Sequence, residues 1–126
     1  MPIDVERFAS HLRTSARNQS QGKCARAIRL ALEAAGANTA GHPVNAKDWG
    51  ATLLRIGFQV IAVHRPEGFL FRKGDIVVMQ PYLGGHPAGH IAGFDGRKWV
   101  SDFIQHDFWA GPGYRKERPS YAVYRY

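Results

Sequence analysis

The apolar residues of this chain change their spacing at about Gly57, and that change dictates the class of fold. Ahead of it they recur every three to four residues, the period of an α-helix; after it they alternate or run together, as strands require. Asp4 is a natural N-cap for a first helix that places Val5, Phe8, Ala9 and Leu12 on one side. Polar residues 14–22 interrupt the pattern. A second helix starts near Cys24, with Ala25, Ile28, Ala31, Leu32 and Ala35 on one face and Gly36 as its stop. Residues 36–45 read as a loop, and 46–58 (AKDWGATLLRIGF) as a third helix that ends near Gly57 and turns Trp49, Leu53 and Leu54 inward.

The second half reads as strands. FQVIAV (58–63) is one, and a β-rich run follows the turn at Lys73-Gly74-Asp75. GHIAGF (89–94) and KWVSDF (98–103) flank Asp95-Gly96-Arg97, a hairpin signal, and SYAVYRY (120–126) is the last strand. Helices followed by antiparallel strands make an α+β domain, its N-terminal helices packed on an antiparallel sheet. With no repeat, biased tract or linker, residues 1–126 read as one domain.

The single cysteine, Cys24, cannot form an internal disulfide, so stability must come from packing, which 126 residues can supply. The net charge of +7 and pI near 10 suit an anionic partner: nucleic acid, a membrane surface or a cell-wall polymer. The cations are spread from Arg7 to Arg125 without a dense block, which favours an anionic environment over base reading. No apolar run approaches the roughly 20 residues of a membrane span. The N-terminus, MPIDVERFAS, carries acids and is not a Sec signal, so synthesis in the cytoplasm without Sec export is expected.

The polar stretch NQSQGK (18–23) leads directly into Cys24 at the start of the second helix. The free N–H groups of a helix N-terminus favour a thiolate and can donate to an oxyanion, so this position suits nucleophilic catalysis. A base must then reach the sulfur. Of six histidines, His90 fits best, because it follows Gly89 and opens a strand. Asp102, twelve residues on in the expected hairpin, falls near the same end with the same pleat parity and is the leading acid to orient the ring. Asp107 is the second choice, and Asp75 reads as a turn residue. His86 and His90 are not expected to hold a metal, since the H-x-x-x-H spacing works on a helix and Pro87 with its flanking glycines forbids one. YLGG (82–85) and GPG (111–113) lack the order of a phosphate loop, so no cofactor is expected. Two other readings stay open: a buried, inert Cys24 in a basic nucleic-acid-binding domain, and a papain-like enzyme acting on a protein amide.

The order of a cysteine at a helix start, a Gly-His opening a strand and an acid on the next strand resembles the papain-like NlpC/P60 and CHAP cell-wall peptidases. The segments 20–36 (SQGKCARAIRLALEAAG), 74–103 (GDIVVMQPYLGGHPAGHIAGFDGRKWVSDF) and 108–126 (FWAGPGYRKERPSYAVYRY) resemble the small peptidoglycan amidases delivered as type VI secretion effectors. The resemblance implies a papain-like NlpC/P60 core and a cysteine amidase that cuts stem or cross-link peptides. Carried over, Cys24 is the nucleophile, His90 the base and Asp102 the third residue. Ser20 and Gln21 would serve the oxyanion, while the loop 80–89 and the aromatics around Trp109 would wall the groove. Many NlpC/P60 members place an aspartate directly before the cysteine; here Lys23 stands there. The implied partners are a peptidoglycan peptide, a cognate immunity protein and a secretion carrier, with no nucleic acid. Action is expected in the periplasm of a target bacterium. A phage or housekeeping wall hydrolase would use the same chemistry.

Overall fold

The computed structural model describes residues 2–126. Helix α1 (Val5–Ser15) is capped by Asp4, whose carboxylate accepts from the Arg7 N–H at 3.1 Å, and it buries Phe8, Ala9 and Leu12. Helix α2 (Cys24–Ala34) buries Ile28, Ala31 and Leu32. The predicted third helix is broken. Ala46–Asp48 form a short 3₁₀ turn, and α3 covers only Gly50–Arg55. Two contacts hold the break: the Lys47 N–H donates to the Ala88 carbonyl at 2.8 Å, and the Tyr124 hydroxyl occupies the space a side chain at Gly50 would need. Trp49 and Leu53, four residues apart on one face, are buried as expected; Leu54, one step round the helix, is half exposed.

Strands β1 (Gln59–Ile61), β2 (Ile76–Met79), β3 (His90–Phe94), β4 (Trp99–Val100) and β5 (Tyr121–Arg125) form, among the described residues, a five-stranded antiparallel sheet in the order β1-β5-β2-β3-β4. β1 and β4 are shorter than their apolar runs suggested. Both faces are covered. Ile76 and Val78 of β2 and Ile91 of β3 face the helices, packing with Phe8, Leu12, Ile28, Leu32, Trp49 and Leu53. Val77, Met79 and Ala92 face a second layer built from loops rather than helices, with Trp99, Phe108 and Trp109. Burial on both faces is why β2 reads as an unbroken apolar run, IVVM. A further helix, α4 (Pro112–Glu117), leads into β5.

Asp75, expected to serve a turn, does more. It is 1% exposed, and both its oxygens take the Arg125 guanidinium at 2.9 and 2.8 Å, tying the start of β2 to the end of β5. The same carboxylate accepts from the Arg72 N–H at 2.8 Å. Removing one member of a buried pair strands the other's charge. Arg125→Met should therefore cost about 3 kcal/mol, read as a lower urea midpoint with unchanged m-value. A loss below about 0.5 kcal/mol would mean that water already solvates the pair.

Candidate active site

Cys24 occupies the first position of α2, and Asp102 sets the chain ahead of it. The Asp102 carboxylate accepts from the N–H of Gln21 at 2.6 Å and of Lys23 at 3.0 Å, two charge-assisted bonds that hold the turn from which the helix departs. The helix has no side-chain cap, which leaves its first N–H groups without a side-chain acceptor from the N-cap residue. Burial pushes the Cys24 thiol up from its ordinary value, and the Asp102 charge adds to that. Hydrogen bonding from the backbone N–H of Ile91, Ala25 and Cys24 itself opposes the rise without reversing it. The helix N-terminus acts in the expected direction, but desolvation outweighs it.

His90 is the first residue of β3, paired with Met79 of β2. Gly89 before it has φ +72°, and a Cβ there would collide with the Met79 carbonyl oxygen, so only glycine lets the chain enter the strand here. The His90 ring is buried, and its Nε2 lies 2.7 Å from Oε1 of Gln105. The Gln105 amide nitrogen donates to the carbonyls of Asp107 at 3.1 Å and Phe108 at 3.4 Å, so the oxygen must be the atom that faces the ring. An acceptor at that position requires a hydrogen on Nε2, which leaves Nδ1 of the neutral imidazole with a free lone pair. Burial holds the His90 pKa below its usual value, although Gln105 and the Asp102 charge pull the other way. The resting site thus pairs a neutral thiol with a neutral imidazole.

Cys24 and His90 line one cavity of about 470 Å³, bounded by the 20–26 segment, the 82–90 loop and residues 110–114. The two glycine motifs meet on its wall. The Tyr82 ring lies against Gly85 and Gly113, where any Cβ would strike it, and stacks edge-on to Tyr114 at 4.9 Å. The Tyr114 ring lies 5.8 Å from that of His90, and burial pushes its hydroxyl pKa up to about 12, so it remains a donor.

The structure brings Cys24, His90 and Ser20 to this cavity and places the other expected residues elsewhere. Asp102 does not hydrogen-bond His90. The turn closes between Asp95 and Lys98 and pairs Gly93 with Val100, so continuing that register would set position 102 opposite Ile91. A one-residue shift reverses the face. β4 also ends at Val100, and Asp102 turns toward α2. Asp107 is engaged by Arg115 through two bonds of 3.1 Å. Gln21 lines a separate cavity beside Asp102, and its side-chain amide donates to the Gln19 carbonyl. Trp109 is a core residue of the opposite layer, 3% exposed, its indole N–H donating to Glu67. The groove wall assigned to it is made by Tyr82 and Tyr114 instead. Gln105 carries no sequence signal, and the glycines of YLGG and GPG, read only as lacking the order of a phosphate loop, include the two positions that must be small beside Tyr82. Among the described residues no three His, Cys, Asp or Glu side chains converge as metal ligands, and no helix is long and apolar enough to cross a membrane.

No protein-family model matches the chain, and no curated protein does. Solved structures do. The chain is 40% identical to a chain of the type VI native effector–immunity complex Tae3–Tai3 from Ralstonia pickettii, over 98% of both chains and with a TM-score of 0.86. The selenomethionine form of that complex matches at 39% identity, over 94% of this chain and 99% of the other, with a TM-score of 0.82.

A neutral resting pair has a kinetic signature. Alkylation of Cys24 by iodoacetamide should be slow at pH 6 and rise through an inflection above that of an ordinary cysteine, because its thiolate is disfavoured. A fast rate already level at pH 6 would instead mean a thiolate–imidazolium pair.

Proposed function

The chain belongs to the Tae3 family of type VI effectors, and from that premise we propose that it is a peptidoglycan amidase, cutting amide bonds of stem or cross-link peptides by cysteine chemistry. The carrying observation is that a thiol at the first turn of α2 and an imidazole with Nδ1 free share one cavity. In this reading residues 1–126 act as one catalytic domain of the papain-like NlpC/P60 type. The Cys24 thiol gives its proton to His90 Nδ1 as the sulfur attacks the carbonyl carbon. In the same reading the N–H groups at the start of α2 and the Ser20 hydroxyl, which lines the cavity, would serve the oxyanion. Collapse expels the amine, which takes the proton from His90 Nδ1. Water, deprotonated by His90, then cleaves the thioester and frees Cys24. Gln105 holds the required tautomer throughout, the part sequence reasoning gave to Asp102. Asp102 positions the nucleophile's helix instead.

The setting follows from the same likeness. The related chain comes from an effector–immunity complex, which favours an antibacterial effector with a cognate immunity protein over a phage or housekeeping hydrolase. Such an effector would act in the periplasm of the target cell.

Digestion of purified sacculi, followed by mass spectrometry of the fragments, tests this reading. The wild type should release peptides with new amine and carboxyl ends. Cys24→Ala should lose activity by at least about 1,000-fold, and Gln105→Leu should lower kcat by about 100-fold with little change in KM. Wall cleavage retained by a folded Cys24→Ala protein would remove the nucleophile from the proposal.

A further inference from the structure

The charges around the cavity are of one sign. Lys23 and Arg26 are its charged lining residues apart from the histidines, and no Asp or Glu lines it. Both side chains are exposed and, among the described residues, neither joins an ion pair. A neighbouring cavity of about 280 Å³ shares both residues and adds Arg17. The one acid lining that second cavity, Asp102, is buried and directed at the backbone N–H groups of Gln21 and Lys23. Three cations therefore border two adjoining depressions, against the single carboxylate of Asp102.

Their position on α2 adds weight. Lys23 is the N-cap, Arg26 lies in the first turn, and no acid is found there. Cations at a helix N-terminus oppose its dipole and destabilise it slightly. Neither is needed for packing, and neither figures among the groups that shift the Cys24 thiol. Unpaired cations in the place where a helix prefers acids are best explained by an anion arriving from outside.

We infer that Lys23 and Arg26, with Arg17 beyond them, bind carboxylates of the substrate, so that the enzyme selects a peptide with a free carboxylate close to the scissile amide. The inference rests on the amidase reading and narrows its substrate class. Lys23 precedes Cys24 directly, Arg26 follows it in the first turn, and all three line the one cavity. The recognised charge then belongs to the residue bearing the attacked carbonyl or to its neighbour. Peptides in which that carboxylate is a carboxamide lose the ionic contact and keep the rest.

Binding to the Cys24→Ala protein tests this apart from turnover. The probes are a peptidoglycan stem peptide with free carboxylates and the same peptide with those groups converted to carboxamides, compared by calorimetry at low salt. The free acid should bind at least about tenfold tighter, and the advantage should shrink as salt rises. Adding Lys23→Met and Arg26→Met should reduce the difference to less than about twofold, while Lys23→Arg with Arg26→Lys should preserve it. Circular dichroism verifies that each variant is folded. Equal binding of the two peptides, no saturable binding of the free acid, or a preference that survives the double Met substitution would overturn the inference. Cys24-dependent wall cleavage without carboxylate preference sinks this inference alone; carboxylate preference without any wild-type cleavage sinks the amidase reading alone.

Discussion

The central strands β2 and β3 are buried on both faces, and the geometry of the site depends on that constraint. β2 and β3 cannot leave either face wet, because Ile76, Val78 and Ile91 project one way and Val77, Met79 and Ala92 the other. The helices cover one side and an aromatic layer covers the other. His90, at the start of β3, sits where both layers reach the strand end. The helical layer brings Cys24 to the cavity that the ring lines, and the loop leading to Phe108 and Trp109 brings Gln105 to the ring's Nε2. The three groups come from three layers, and the packing that stabilises the fold also sets their positions.

Electrostatics divides the labour among the neighbours of the pair. Burial disfavours charge on both the thiol and the imidazole, so the resting pair is neutral. A negative group against the sulfur would hinder thiolate formation, and Asp102 contributes a little in that direction. Its two bonds to the turn before α2 account for its presence: it fixes where the helix begins and thus where the sulfur sits. Gln105 accepts from the imidazole Nε2 without adding charge, in the place an asparagine takes in Cys-His-Asn sites.

The chain's excess of positive charge has a local counterpart. Several cations serve the fold, as Arg125 does with Asp75 and Arg115 with Asp107. Lys23 and Arg26 join no ion pair among the described residues, and both line the cavity. Lys23 sets a positive charge directly before Cys24. An amidase with this rim would meet an anionic wall peptide with complementary charge.

The amino-acid sequence by itself determined the two long helices, the main strands and their antiparallel character, because these depend on local periodicity and on turns such as Asp95-Gly96. It also determined that Cys24 begins a helix and that His90 begins a strand after a glycine, the two placements on which the proposed chemistry rests. The break in the third helix, the burial of Trp109 and the exchange of Gln105 for Asp102 at the imidazole were decided by tertiary structure. Each depends on contacts between residues far apart in the chain. The Gly50 break answers to Tyr124, Trp109 to the far face of the sheet, and the fate of Asp102 to a hairpin register one residue away from the expected one. Local spacing is blind to such contacts, since a side chain's face is set by the strand it pairs with as much as by its own.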